Sequence, residues 1–64
     1  MKNLFGHVAV EKGFITMEQL TRVVLLQKTE ERKYGTWRQI GQILREEGYL
    51  TEAQVQEVVD AMGG

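Results

Sequence analysis

The chain lies over itself when shifted by 35 residues, and this internal repeat constrains its fold more than any single segment does. Gly6 falls on Gly41, Glu11 on Glu46, Gly13 on Gly48, Thr16 on Thr51, Gln19 on Gln54, Val23 on Val58 and Val24 on Val59. Between these identities Phe5, Val8, Phe14, Ile15 and Leu20 meet Ile40, Ile43, Tyr49, Leu50 and Val55, so the apolar pattern is duplicated along with the punctuation.

Each unit reads as a short helix, a tight turn and a longer helix. Gly13 and Gly48 stand where a helix ends in a left-handed residue, a position that favours glycine because it has no Cβ. Three residues on, Thr16 and Thr51 are set to cap a new helix, and Gln19 and Gln54 complete the reciprocal T-x-x-Q capping box. Ile15 with Leu20, and Leu50 with Val55, form approximate hydrophobic staples across those caps. Leu20, Val23, Val24 and Gln27 recur at helical spacing, as do Val55, Val58, Val59 and Met62. The shorter helices carry the stripes Leu4, Phe5, Val8, Ala9 and Trp37, Ile40, Gly41, Leu44, with Trp37 expected as a core anchor. Between the units, Lys28 to Thr36 is polar and carries a helix breaker at Gly35, so the second helix is expected to fray there and Thr36 to cap a helix starting at Trp37.

The expectation is therefore an all-α fold of four helices, two repeated helix-turn-helix hairpins packed on one core. Repeat one spans residues 4–27, the linker 28–36 and repeat two 37–62. The chain has 64 residues and neither Pro nor Cys. A domain of about that size buries only about 60% of its unfolded surface, which leaves a thin core and little material for the walls of a catalytic cleft. Without Cys there is no disulfide or thiolate metal site, and His7 stands alone. It is read as a surface residue. No Gly-rich phosphate loop occurs, and the adjacent carboxylates Glu30, Glu31 and Glu46, Glu47 read as solvated helix ends. No catalytic residue and no metal or cofactor is expected.

A formal charge of −1 gives no general attraction to nucleic acid or anionic lipid. The start, Met1-Lys2-Asn3-Leu4-Phe5, lacks the unbroken apolar stretch of a signal peptide, and no apolar run is long enough to span a membrane. A cytoplasmic chain is expected.

The two units, FGHVAVEKGFITMEQLTRVVLLQ and IGQILREEGYLTEAQVQEVVDAM, resemble the tandem motifs of the MshEN-type domain, the N-terminal domain of type II secretion and type IV pilus assembly ATPases, found also in other bacterial regulatory proteins. The resemblance covers nearly the whole chain. It implies a helical module, and because no Walker-type phosphate loop occurs the chain is not expected to be the motor ATPase itself. Some members bind the second messenger cyclic di-GMP through the duplicated motif, and others dock to partner components of the secretion machine. That motif opens with Arg-Leu-Gly, continues through paired aliphatics, Gly, Leu and Leu, and closes with Gln. Phe5, Gly6, Ala9, Val10, Gly13, Leu20, Val24 and Gln27 occupy the matching places in the first unit, with Leu4 at the Arg position. Ile40, Gly41, Leu44, Gly48, Val55 and Val59 match in the second, where Gln39 stands for Arg, Arg45 for an aliphatic and Met62 for the closing Gln. The spacer from Lys28 to Arg38 is longer than that of the ligand-binding members.

A cyclic di-GMP site carried over by the resemblance would comprise Phe5, Gly6, Val10, Gly13, Gln27, Ile40, Gly41 and Gly48. Arg38, one residue before the motif position, would stand in for the missing arginines, since an Arg fork gives planar charged donors that Leu and Gln lack. The glycines have a purely structural reading as well, Gly13 and Gly48 as helix stops and Gly6 and Gly41 as close helix crossings.

A second surface follows from a difference between the units: Leu25 and Leu26 correspond to Asp60 and Ala61, so Val23-Val24-Leu25-Leu26 is apolar all round its helix. Val23, Leu25 and Leu26 are therefore expected at a contact with a protein partner or a second copy of the chain, unless the linker or the third helix folds over them. The expected function is a non-enzymatic regulatory or docking module acting by protein-protein interaction in a larger assembly. A cyclic di-GMP receptor is the alternative. A helix-turn-helix DNA reader is a further one, disfavoured by the acidic balance and the absence of a basic helix.

Overall fold

Both turns close as the glycine and threonine punctuation requires. The computed structural model describes residues 4–63; Met1, Lys2, Asn3 and Gly64, and with them the start used in the signal-peptide reading, lie outside the described residues. Gly13 has φ +78° and Gly48 φ +83°. The Phe14 amide donates to the Ala9 carbonyl at 3.0 Å and the Gly13 amide to Val10 at 2.9 Å. Thirty-five residues on, Tyr49 donates to Leu44 at 2.9 Å and Gly48 to Arg45 at 3.1 Å, the same pair of hydrogen bonds in the second unit. Each is a Schellman ending, in which left-handed glycine lets the chain satisfy the last carbonyls of one helix while turning into the next. Both capping boxes follow: the Gln19 amide donates to Thr16 Oγ1 at 3.0 Å and Gln54 to Thr51 Oγ1 at 3.1 Å, with the Gln side-chain oxygens accepting in return from the threonine amides.

The elements are α1 (Leu4–Glu11), α2 (Met17–Tyr34), α3 (Ile40–Glu46) and α4 (Glu52–Ala61), with no strand among the described residues. The fold is all-α, four helices packed together. The short helices α1 and α3 pack on each other and on both longer ones, whereas α2 and α4 do not pack on each other. Each longer helix lies more extensively against the other unit's short helix than against its own, so the repeats interlock across a shared core. That core holds Ala9, Ile15, Leu20, Val23, Ile40, Ile43, Leu44, Leu50 and Val58. Truncating one of its leucines or isoleucines to Ala is expected to cost about 2–5 kcal/mol.

The central placement of the short helices decides which expected core positions stay exposed. Each longer helix is covered along one side only, and the α4 stripe narrows to Val58, with Val55 half-buried and Val59 and Met62 exposed. On α1, Leu4 is exposed.

The connection between units departs most from the sequence reading. α2 does not fray after Gln27 but continues to Tyr34, taking in most of the expected linker. Lys28 to Lys33 is made largely of helix-tolerant residues, Arg32 and Lys33 favour a helix C-terminus, and Gly35 at φ +69° caps it by donating to the Glu31 carbonyl at 2.9 Å. The third helix begins at Ile40 rather than Trp37, and its N-cap is Gln39, not Thr36. Residues 35–39 carry no helix. Trp37 is 59% exposed, which corrects its assignment as a core anchor. Its position is set outside the helix because the neighbouring Arg38 is drawn into contacts with α2 and α3, described below.

Candidate functional site

A cleft of about 610 Å³ opens where the second unit meets the start of α1 and the middle of α2. Its volume lies in the range of small-ligand and peptide-anchoring pockets. One wall is the α4 face Glu52, Val55, Gln56 and Val59, brought into line by i, i+3, i+4 and i+7 spacing. The other comes from α3, with Ile40, Gly41, Gln42 and Arg45. Phe5 reaches in from α1 and Gln27 from α2, while Trp37 and Gln39 form a lip supplied by the segment between units.

Gly41 makes the entry of Phe5 into this space sterically feasible. A Cβ at that position would lie 2.9 Å from Phe5 Cζ and 3.1 Å from Cε1, inside ordinary contact distance, so α1 and α3 cross closely because residue 41 has no side chain. Gly6 plays the corresponding part within unit one, where a Cβ would run into the Leu20 side chain.

The polar groups of the cleft are mainly uncharged. Gln27, Gln39, Gln42 and Gln56 each present both an amide donor and a carbonyl acceptor, and Arg45 and Glu52 contribute one charge of each sign. Gln27 is buried at 7% exposure, and its Nε2 donates to the Arg38 carbonyl at 2.7 Å. Behind the lip, Arg38 Nε donates to Glu30 Oε1 at 3.0 Å and Nη2 to Glu30 Oε2 at 2.6 Å, a bidentate fork onto α2. Its Nη1 donates to Glu46 Oε1 on α3. The Glu30 and Glu46 hydrogen bonds hold the guanidinium pKa above its ordinary value. In return, the bond from Arg38, followed by one from Gln42, holds the Glu46 carboxyl below its ordinary range.

The structure divides the nine residues of the resemblance-based ligand set. Phe5, Gln27, Ile40 and Gly41 converge on the cleft. Gly6 lies at the α1–α2 crossing, Val10 packs half-buried on the core, and Gly13 and Gly48 serve the turns. Arg38 is ion-paired to two glutamates and is not among the residues that line the cleft. The expected contact surface on α2 is divided too. Val23 is 1% exposed and belongs to the core, which corrects its placement on a surface; Leu26 packs half-buried against that core; Leu25 alone projects, at 60% exposure. Both α1 and α3 pack on α2.

Sequence reasoning missed Gln42, Arg45, Glu52 and Gln56. The signal was present in the repeat, because these residues replace His7, Val10, Met17 and Thr21 of the first unit, so the second unit is the more polar at these cleft positions. No group of His, Asp and Glu suited to hold a metal ion occurs among the described residues, and no described helix is long and apolar enough to cross a membrane. Comparison of the chain with protein-family models, curated proteins and solved structures returns no match.

Proposed function

We propose that this chain is a non-enzymatic docking module that holds a short segment of a protein partner in the α3–α4 cleft. One observation carries the reading: the cleft brings the apolar side chains Phe5, Ile40, Val55 and Val59 together with the amides of Gln39, Gln42 and Gln56. Amide side chains offer donor and acceptor together, which is what the peptide backbone of an incoming segment requires, and the apolar side chains accept an apolar anchor. Arg45 and Glu52 balance in charge, so the cleft does not select a polyanion. The resemblance to MshEN-type domains points the same way, toward a component of a larger bacterial assembly that docks rather than catalyses.

Selection from a displayed peptide library on the immobilised chain tests this reading. Peptides whose binding is lost in Val59→Lys and weakened in Trp37→Ala are the expected result. Peptides that bind these folded variants as well as the parent would place recognition elsewhere.

Convergence of Phe5, Gln27, Ile40 and Gly41 on the same cleft favours a second reading, a cyclic di-GMP receptor. Calorimetry separates the two. A heat of binding for cyclic di-GMP that vanishes in Gly41→Val, with the fold retained, would replace the docking reading; a flat titration at high ligand concentration leaves docking in place.

A further inference from the structure

We propose that Arg38 is a positioning residue for the cleft: pinned between Glu30 and Glu46, it holds the segment carrying Trp37 and Gln39 in place as the cleft's lip. Taking the cleft as the docking site, this makes an ion-paired residue outside its walls a determinant of its shape.

The segment 35–39 has little else to fasten its middle. Gly35 is bound to α2 through its cap, and the Gln39 carbonyl accepts from the Ile43 amide at 3.0 Å as α3 begins. Between these ends, Thr36 and Trp37 make no hydrogen bond among the described residues, and every polar contact to the body of the fold passes through Arg38. Its carbonyl is held by Gln27 and its guanidinium by two helices at once. A planar fork that meets one carboxylate with two parallel bonds is directional as well as strong, so it fixes an orientation where a lysine would supply only a charge.

Residues on either side of Arg38 line the cleft and Arg38 does not, the alternation of a non-helical stretch with one side chain turned inward to the glutamates. The two ends of the hydrogen-bonded chain also return to the cleft. Gln27, donor to the Arg38 carbonyl, is a wall residue; Glu46 accepts from Gln42 Nε2 at 3.4 Å, and Gln42 is another. Arg38 therefore ties the lip to two cleft amides, to Gln27 through its own carbonyl and to Gln42 through Glu46.

Trp37 is the sole tryptophan, so its fluorescence reads the lip directly. Arg38→Met keeps the aliphatic stem and removes the fork. The expected result is an unchanged far-UV helical signal, faster local depolarisation and greater acrylamide quenching of Trp37, and shifted side-chain amide resonances of Gln27 and Gln42. Arg38→Lys, which restores the charge without the fork, should fall between parent and Met. A folded Arg38→Met whose Trp37 depolarisation, quenching and amide resonances match the parent overturns the proposal, even where the denaturation midpoint drops. Should Arg38→Met not fold, the double variant Glu30→Gln, Glu46→Gln, which removes both carboxylates that hold the guanidinium, is read in the same way: increased Trp37 mobility supports the assignment and an unchanged lip overturns it. None of these readouts needs a ligand, so a failed peptide selection would count against docking without touching them. With a selected peptide in hand, Arg38→Met is expected to weaken its binding although Arg38 does not line the cleft.

Discussion

Gln27 and Arg38, eleven positions apart, are joined by a 2.7 Å hydrogen bond from the Gln27 amide to the Arg38 carbonyl, and this bond fixes where the second unit begins. It ties the buried face of α2 to the segment that leads into α3. The closing residue of the first repeat motif thus holds the entry of the second.

Replacing Gln27 by Met keeps its length and removes the donor. The partly buried Arg38 carbonyl then loses its partner, and a polar group left unsatisfied in that way costs about 1–3 kcal/mol. A domain of this size seldom holds more than about 3–5 kcal/mol in its core, so the loss is a large share of the total. Urea denaturation followed by far-UV circular dichroism should show a lower midpoint with an unchanged slope. A midpoint equal to that of the parent would mean that water replaces the amide without cost.

Two glycines on the same helix-turn unit should fail for different reasons. Gly48→Ala meets no neighbouring atom but places a Cβ at φ +83°, for a penalty of about 1–2 kcal/mol that no second substitution nearby relieves. Gly41→Ala has an ordinary helical backbone and collides with the Phe5 ring instead. Its cost should shrink in a Phe5→Leu background, while that of Gly48→Ala stays the same. A double-mutant cycle measures both, and equal coupling of Phe5 to residues 41 and 48 would contradict the close crossing.

That contrast marks how far the sequence could be read. The turns were legible because their cause is local: glycine at the left-handed residue, threonine and glutamine three apart, and a staple residue before each cap act within a few positions. The same logic failed at Trp37. Helical spacing placed it on the α3 stripe, but long-range bonds from Arg38 to Glu30, to Glu46 and from Gln27 compete with a helix start at that point, and no local pattern announces them. The cleft was half legible. Phe5, Gln27, Ile40 and Gly41 stand at matched motif positions, whereas its polar lining depends on residues that break the repeat and on a packing in which each long helix crosses to the other unit.

Adjacent leucines on α2 should respond unequally to a charge. Leu25 is 60% exposed, and Leu25→Asp is expected to change stability by no more than about 0.5 kcal/mol. Leu26 packs half-buried against the core, so Leu26→Asp loses that apolar contact and sets a carboxylate against it, for a cost of about 1–3 kcal/mol. Light scattering on the folded Leu25→Asp chain also addresses self-association: a mass lower than that of the parent at equal concentration would place a homotypic contact on this side of α2.

Acid should loosen the clamp behind the cleft, and the direction follows from Glu46. Its carboxyl is held below the usual range, first by the Arg38 hydrogen bond and then by Gln42, so the folded chain releases that proton more readily than the unfolded chain does. Such a group contributes stability at pH values above its unfolded pKa and loses that contribution as pH falls through the lowered folded value. Glu46→Gln removes the titrating group and leaves an amide that can still accept from Arg38. The parent should therefore exceed Glu46→Gln in urea midpoint at neutral pH, with the difference closing as the solution becomes acidic. Because the pair lies at the surface, added salt should narrow the neutral-pH difference. A difference that stays constant from neutral to strongly acid pH would mean that the contribution of Glu46 does not come from its charge, and would leave Glu30 as the anion that fixes Arg38.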